Sequence, residues 1–101
     1  MNIQDQSSTK NPEEFYASLK EKLENAHDFP QDYLYKFIIP SDANKLSEIY
    51  RVFDGLEHTI SNRDSKTGKY VSININAFVL DADQVISLYK EVAKIEGVMM
   101  L

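Results

Sequence analysis

The chain has 101 residues, 43 % of them hydrophobic and 11 % aromatic, a make-up that fits one globular domain and excludes a chain disordered as a whole. It contains no cysteine, so disulfides, thiol catalysis and zinc–thiolate sites are excluded together. A formal charge of −5 argues against nucleic-acid binding by bulk electrostatics, and a polar N-terminus without any apolar run near ~20 residues leaves the cytoplasm as the expected location.

Residues 1–10 are polar and aperiodic and read as a disordered tail. A helix is predicted over 11–26, with Asn11 as N-cap, Pro12 at the first helical position and Glu13 and Glu14 in the first turn. Phe15, Leu19 and Leu23 recur every fourth residue as a narrow apolar stripe, with Tyr16 and Lys20 beside it. The helix should stop near Asn25, ahead of Phe29 and Pro30. The rest, 29–101, reads as one domain. Its first strand covers 33–39 and is stopped by Pro40, with Tyr35, Phe37 and Ile39 inward and Lys36 on the opposite face.

Ser41 or Asp42 then caps a helix carrying Leu46, Ile49, Tyr50 and Phe53, closed by Gly55. Residues 58–63 give a weaker strand, supported mainly by Thr59, Ile60 and the turn that follows. The basic, glycine-containing run from Arg63 to Lys69 feeds the strongest strand, 70–79, whose apolar residues alternate with Ser72, Asn74 and Asn76. Asp81 with Gln84 resembles a capping box opening a third helix, with Val85, Leu88, Tyr89 and Val92 on one face. Gly97 is placed as its C-cap, and 98–101 as a short last strand.

Leaving the N-terminal helix aside, the order is βαββαβ with short connections and a hairpin in the middle. The fold class is therefore α+β. Right-handed crossovers turn that order into the ferredoxin-like split βαβ arrangement: a four-stranded antiparallel sheet with two helices on one face. The first and third strands become central neighbours.

Phe29-Pro30, Tyr33, Lys36-Phe37-Ile38, then Ser65, Gly68-Lys69-Tyr70, Ser72 and a hydrophobic C-terminus after Leu88-Tyr89 occur in the order found in one family. Over about residues 20–101 the chain resembles the YbeD-like family, the domain of unknown function 493. The resemblance implies a fold similar to ACT-type regulatory domains and no established reaction. It also implies association through sheet edges or faces, so a homodimer is one expected assembly. Members usually carry a glycine after the first strand, where this chain has Pro40, so that turn is expected to differ.

The open sheet face is the expected place for function. It should gather Lys36, Ser72, Asn74 and Asn76, with Thr59, Ser61 and Arg63; the plainer reading is a solvated face or one covered by the N-terminal helix. Arg63, Lys66 and Lys69 make a cationic hairpin around Gly68, suited to an anion or an acidic partner, or simply to turn geometry and edge protection. An RNA-stacking platform needs several outward aromatics, and Tyr70 is followed by Ser72 and Asn74, so nucleic acid is disfavoured. His27 and His58 lack metal-ligand companions and read as surface residues.

The leading expectation is a non-catalytic regulatory or adaptor domain that binds a protein partner or a small anionic ligand, without cofactor or metal. Its contacts are Lys36, Arg63, Lys66, Lys69, Asn74 and Asn76. The alternative is a small acylphosphatase-like hydrolase on the same face, although the glycine-rich anion loop of that family is missing after the first strand.

Overall fold

In the computed structural model, which describes residues 11–101, the strongest alternation in the sequence lies at the centre of the sheet. Strand β3 (Tyr70–Val79) alternates exposed and buried residues along its whole length, as period-two polarity demands of a half-buried strand. It pairs antiparallel with β1 (Gln31–Pro40) over ten residue pairs, from Gln31 opposite Val79 to Pro40 opposite Tyr70. Strand β2 (His58–Asp64) flanks β3, and the two-residue β4 (Met99–Met100) flanks β1, giving the order β2-β3-β1-β4. This is the open, four-stranded antiparallel sheet of the ferredoxin-like, α+β reading. Pro40 closes β1 as the last residue of its ladder. Residues 1–10, expected as a disordered tail, lie outside the described residues.

Three helices cover one face of the sheet. Helix α1 (Pro12–Ala26) begins at Asn11, whose side chain accepts from the Glu14 amide at 2.8 Å. Helix α2 (Ala43–Phe53) is capped by Asp42, and Gly55 follows its end at φ +92°. Helix α3 (Ala82–Ala93) is capped by Asp81, which accepts from the Gln84 amide. Gln84 reaches back one residue further than a capping box requires, to the Leu80 amide at 2.7 Å. The C-cap of α3 is Lys94. Gly97, expected in that role, instead stands in the turn before β4 at φ +87°, against the ring of Pro40.

The core lies between this layer and the sheet. Tyr35, Phe37 and Ile39 of β1 and Ile73, Ile75 and Val79 of β3 are wholly buried, facing Ile49 and Phe53 of α2 and Val85 and Val92 of α3. Each such side chain contributes about 1.5–3 kcal/mol by leaving water.

Helix α1 joins the same layer beside α3 and leaves the other sheet face uncovered. Only Leu23 of its stripe is buried, while Tyr16 and Leu19 pack partly against the core. Phe15 is 54 % exposed, so the seated line is Tyr16, Leu19 and Leu23 instead of the four-residue repeat. Two polar contacts tie α1 to α3. Lys20 donates to Asp83 at 3.2 Å, which holds its ammonium above the ordinary value, and the Lys90 ammonium lies 4.4 Å from the centre of the Tyr16 ring.

Among the described residues, Tyr35 is the one fully buried side chain with a polar end, and its hydroxyl donates to the Val85 carbonyl at 3.1 Å. Burial first, then the phenols of Tyr89 and Tyr33, push its ionisation far above the ordinary tyrosine range. Tyr89 moves the same way through burial and its hydrogen bond with Tyr33. The folded state thus keeps both phenols protonated at pH values where the unfolded chain ionises. The stability this contributes is complete below about pH 10 and is lost as pH rises further, by up to about 1.4 kcal/mol per pH unit for each group. Urea unfolding measured from pH 8 to pH 11 should show that decline, and Tyr35→Phe should make it shallower.

Candidate functional site

Residues directly opposite one another in an antiparallel pair share a face, so the register defines the open side of the sheet. Lys36 stands opposite Asn74, and Asn74 opposite Ser61; Leu34 faces Asn76, and Asn76 faces Thr59. Ile38 and Arg63 flank Ser72 from its two sides, and Met99 lies beyond Ile38. Lys36 and Asn74 form one of the closer, non-hydrogen-bonded pairs, with Cβ atoms about 4.5–5.5 Å apart. The expected phase of β1 and β3 therefore holds: amides, hydroxyls and Lys36 point away from the core.

The six expected contact residues do not form one tight cluster. Lys36, Asn74 and Asn76 adjoin one another at mid-sheet. Asn76 and Lys69 are seven residues apart along an extended chain, about 23 Å. Lys66 and Lys69 sit in the hairpin turn, which is closed by the Ser65 amide on the Tyr70 carbonyl at 2.8 Å and by Gly68 at φ +74°. Arg63 lies between the two groups. Lys69 also accepts the Ser41 amide at its carbonyl, so the hairpin is fastened to the turn after β1. None of the four cations forms an ion pair with another described residue.

The face is more apolar than its polar alternation suggests. Leu34 is 50 % exposed and Met99 48 %, with Tyr70 and Phe78 also exposed and Ile38 half-buried beside them. Asp32 and Glu57 flank Phe78 at the end opposite the hairpin, so the face carries Arg63 toward one end and carboxylates at the other, while Lys69 continues the odd-numbered phase of Val71. Met99 was invisible as a site residue because the register of a two-residue strand leaves no sequence signal.

Other polar groups have structural partners. Ser72 donates its hydroxyl to the Arg63 carbonyl, and Asn62 donates to the Tyr50 hydroxyl from the helical side. Both histidines are half-buried instead of lying on the surface. His58 Nδ1 contacts the Leu56 carbonyl at 2.7 Å. The Asp28 amide donates to Gln31 Oε1, which fixes the Gln31 amide and makes its Nε2 the donor to His27 Nδ1. Among the described residues no three His, Asp or Glu side chains could share a metal ion, and no helix is long and apolar enough to cross a membrane.

On the helical side, an apolar cleft of about 240 Å³ opens between α1, α3 and β4. Phe15, Tyr16, Leu19, Ala93, Met100 and Leu101 form its walls, above the paired hydroxyls of Tyr33 and Tyr89, 3.0 Å apart. Along α1 the side chains go from buried Leu23 through partly buried Leu19 and Tyr16 to exposed Phe15, and the cleft opens toward that exposed end, with the small Ala93 on its far wall.

Residues 24–101 match the family model described as a protein of unknown function, DUF493. UPF0250 proteins of Haemophilus influenzae strains PittEE and PittGG are 34 % identical over 89 residues, covering 85 % of this chain and 92 % of theirs. Among solved structures, the ACT domain from the GTP pyrophosphokinase of Chlorobium tepidum is similar in fold, with a TM-score of 0.50 at 18 % identity. That match covers 70 % of this chain and 100 % of the ACT domain.

Because the open-face residues are exposed and support no packing, Lys36→Ala and Asn74→Ala should each shift unfolding free energy by no more than about 0.5 kcal/mol. Ile75→Ala, on the buried side of the same strand, should cost about 2–5 kcal/mol in the same urea titration.

Proposed function

Since the chain belongs to the DUF493, YbeD-like family of proteins of unknown function, we propose that it acts as a non-catalytic regulatory or adaptor domain in the cytoplasm, whose open sheet face takes a protein partner. The observation that carries this reading is the spread of the cations. Lys36 and the hairpin pair Lys66 and Lys69 lie too far apart along the strands for a small anion to touch both, whereas an extended acidic surface spans them. Leu34, Ile38 and Met99 supply apolar area beside Lys36, the mix of desolvated centre and charged rim that protein interfaces use. Arg63, Asn74 and Asn76 supply hydrogen bonds between them. In a protein of net charge −5, this local reversal of sign favours acidic partners by steering.

A pull-down from native lysate with the wild-type chain and a Lys36→Glu/Lys69→Glu variant tests the reading. The variant should lose the partners that the wild type retains, and raising salt should weaken the wild-type capture. Equal recovery by both proteins would overturn it.

A further inference from the structure

The open sheet face distributes its charges so that one end answers the other. Across the register, Asp32, Phe78 and Glu57 form its first row, and Ile38, Ser72 and Arg63 form its fourth. Both carboxylates are exposed, and neither they nor Arg63 form an ion pair with another described residue. Apolar side chains are uncovered on the same face. Leu34 and Phe78 are exposed within it, Tyr70 is exposed beyond the fourth row, and exposed Leu80 continues the phase of Phe78 beyond the first. An acidic row, a cationic row and uncovered apolar groups are the parts of a surface able to meet a copy of itself.

We infer that the occupant of this face is a second copy of the chain, an inference that rests on the reading of the face as a protein-binding surface and names the partner. The two-fold axis lies between two stacked sheets, at right angles to the strands. Each strand then runs antiparallel over its own counterpart, and the first row of one copy meets the fourth row of the other. Arg63 meets Glu57 of the second copy, twice by symmetry. Stacked sheets stand about 10 Å apart, a gap that an arginine and a glutamate reaching from opposite sides can close. Asn74 lies over Asn76 of the second copy, where the amides donate to and accept from each other. Leu80 covers Tyr70. Lys36 lays its methylene stem on Leu34 and turns its ammonium toward Asp32 of the second copy. A two-fold axis along the strands would instead lay the acidic row on the acidic row and the Arg63 row on itself, so like charges exclude it.

Sedimentation equilibrium of the full chain should show a monomer–dimer equilibrium with a Kd below about 1 mM. Arg63→Glu and Glu57→Arg should each weaken it at least about tenfold, because each change sets two like-charged pairs face to face. Both positions are exposed, and a dispersed amide spectrum verifies that each variant is folded. Mixed in equal amounts, the two variants should associate as tightly as the wild type, since the mixed pair restores both contacts. The double variant Arg63→Glu/Glu57→Arg, which keeps the net charge of the wild type, should also recover self-association. A wild type still monomeric at about 1 mM, single variants as tight as the wild type, or no recovery in the mixture and the double variant would each overturn the inference. If the wild type is monomeric while lysate partners are still lost with Lys36→Glu/Lys69→Glu, the face binds a different protein, and the inference fails without the reading it rests on.

Discussion

The ladder between β1 and β3 governs nearly every other feature of the molecule. Ten residue pairs in one register commit Tyr35, Phe37, Ile39, Ile73, Ile75 and Val79 to a single side. A slip by one residue would exchange that set for Lys36, Ser72, Asn74 and Asn76, burying a charge and two amides without partners. The cost of that exchange is what specifies the register. It also explains why three helices gather on one side: the apolar side must be covered, and the polar side need not be.

Much of this was legible before any coordinates, and the reasons are local. Period-two alternation is strongest where one face is wet and the other dry, which is the situation of β3. Helix starts were legible because Asn11, Asp42 and Asp81 hold backbone amides that nothing else would satisfy. Placement of α1 was not legible. Its stripe says that it needs an apolar neighbour, and only the packing of Leu23 and Tyr16 against the α3 side says which. Ends of elements were less legible for a related reason. Glycine at positive φ marks a tight turn, yet Gly97 serves the entry to β4 and not the exit of α3.

The candidate face was half visible. Polar residues at alternate positions of β3 announce themselves, and so does a basic hairpin. What the alternation cannot announce is how strands lie side by side, and it is side-by-side placement that puts Met99 next to Ile38 and carboxylates at the far end from the cations. Function follows fold even less closely. The ACT-like architecture is a scaffold on which many ligands could be recognised, and the chemistry of recognition resides in exposed residues that folding leaves free to vary.

The contact between Gly97 and Pro40 has a bearing on how the smallest strand keeps its place. Two rungs hold little energy for choosing among alignments, and although Pro40 offers no N–H on one side, a shift toward Leu34 would meet backbone groups as able to pair as those in use. A β-carbon at position 97 would come within 3.1 Å of the proline ring, and every neighbouring residue of that turn carries one. Sliding the segment in either direction would bring Glu96 or Val98 to that close approach and to the left-handed φ that glycine favours. The proline and the glycine thus act as a mechanical stop, indexing a strand that could not index itself.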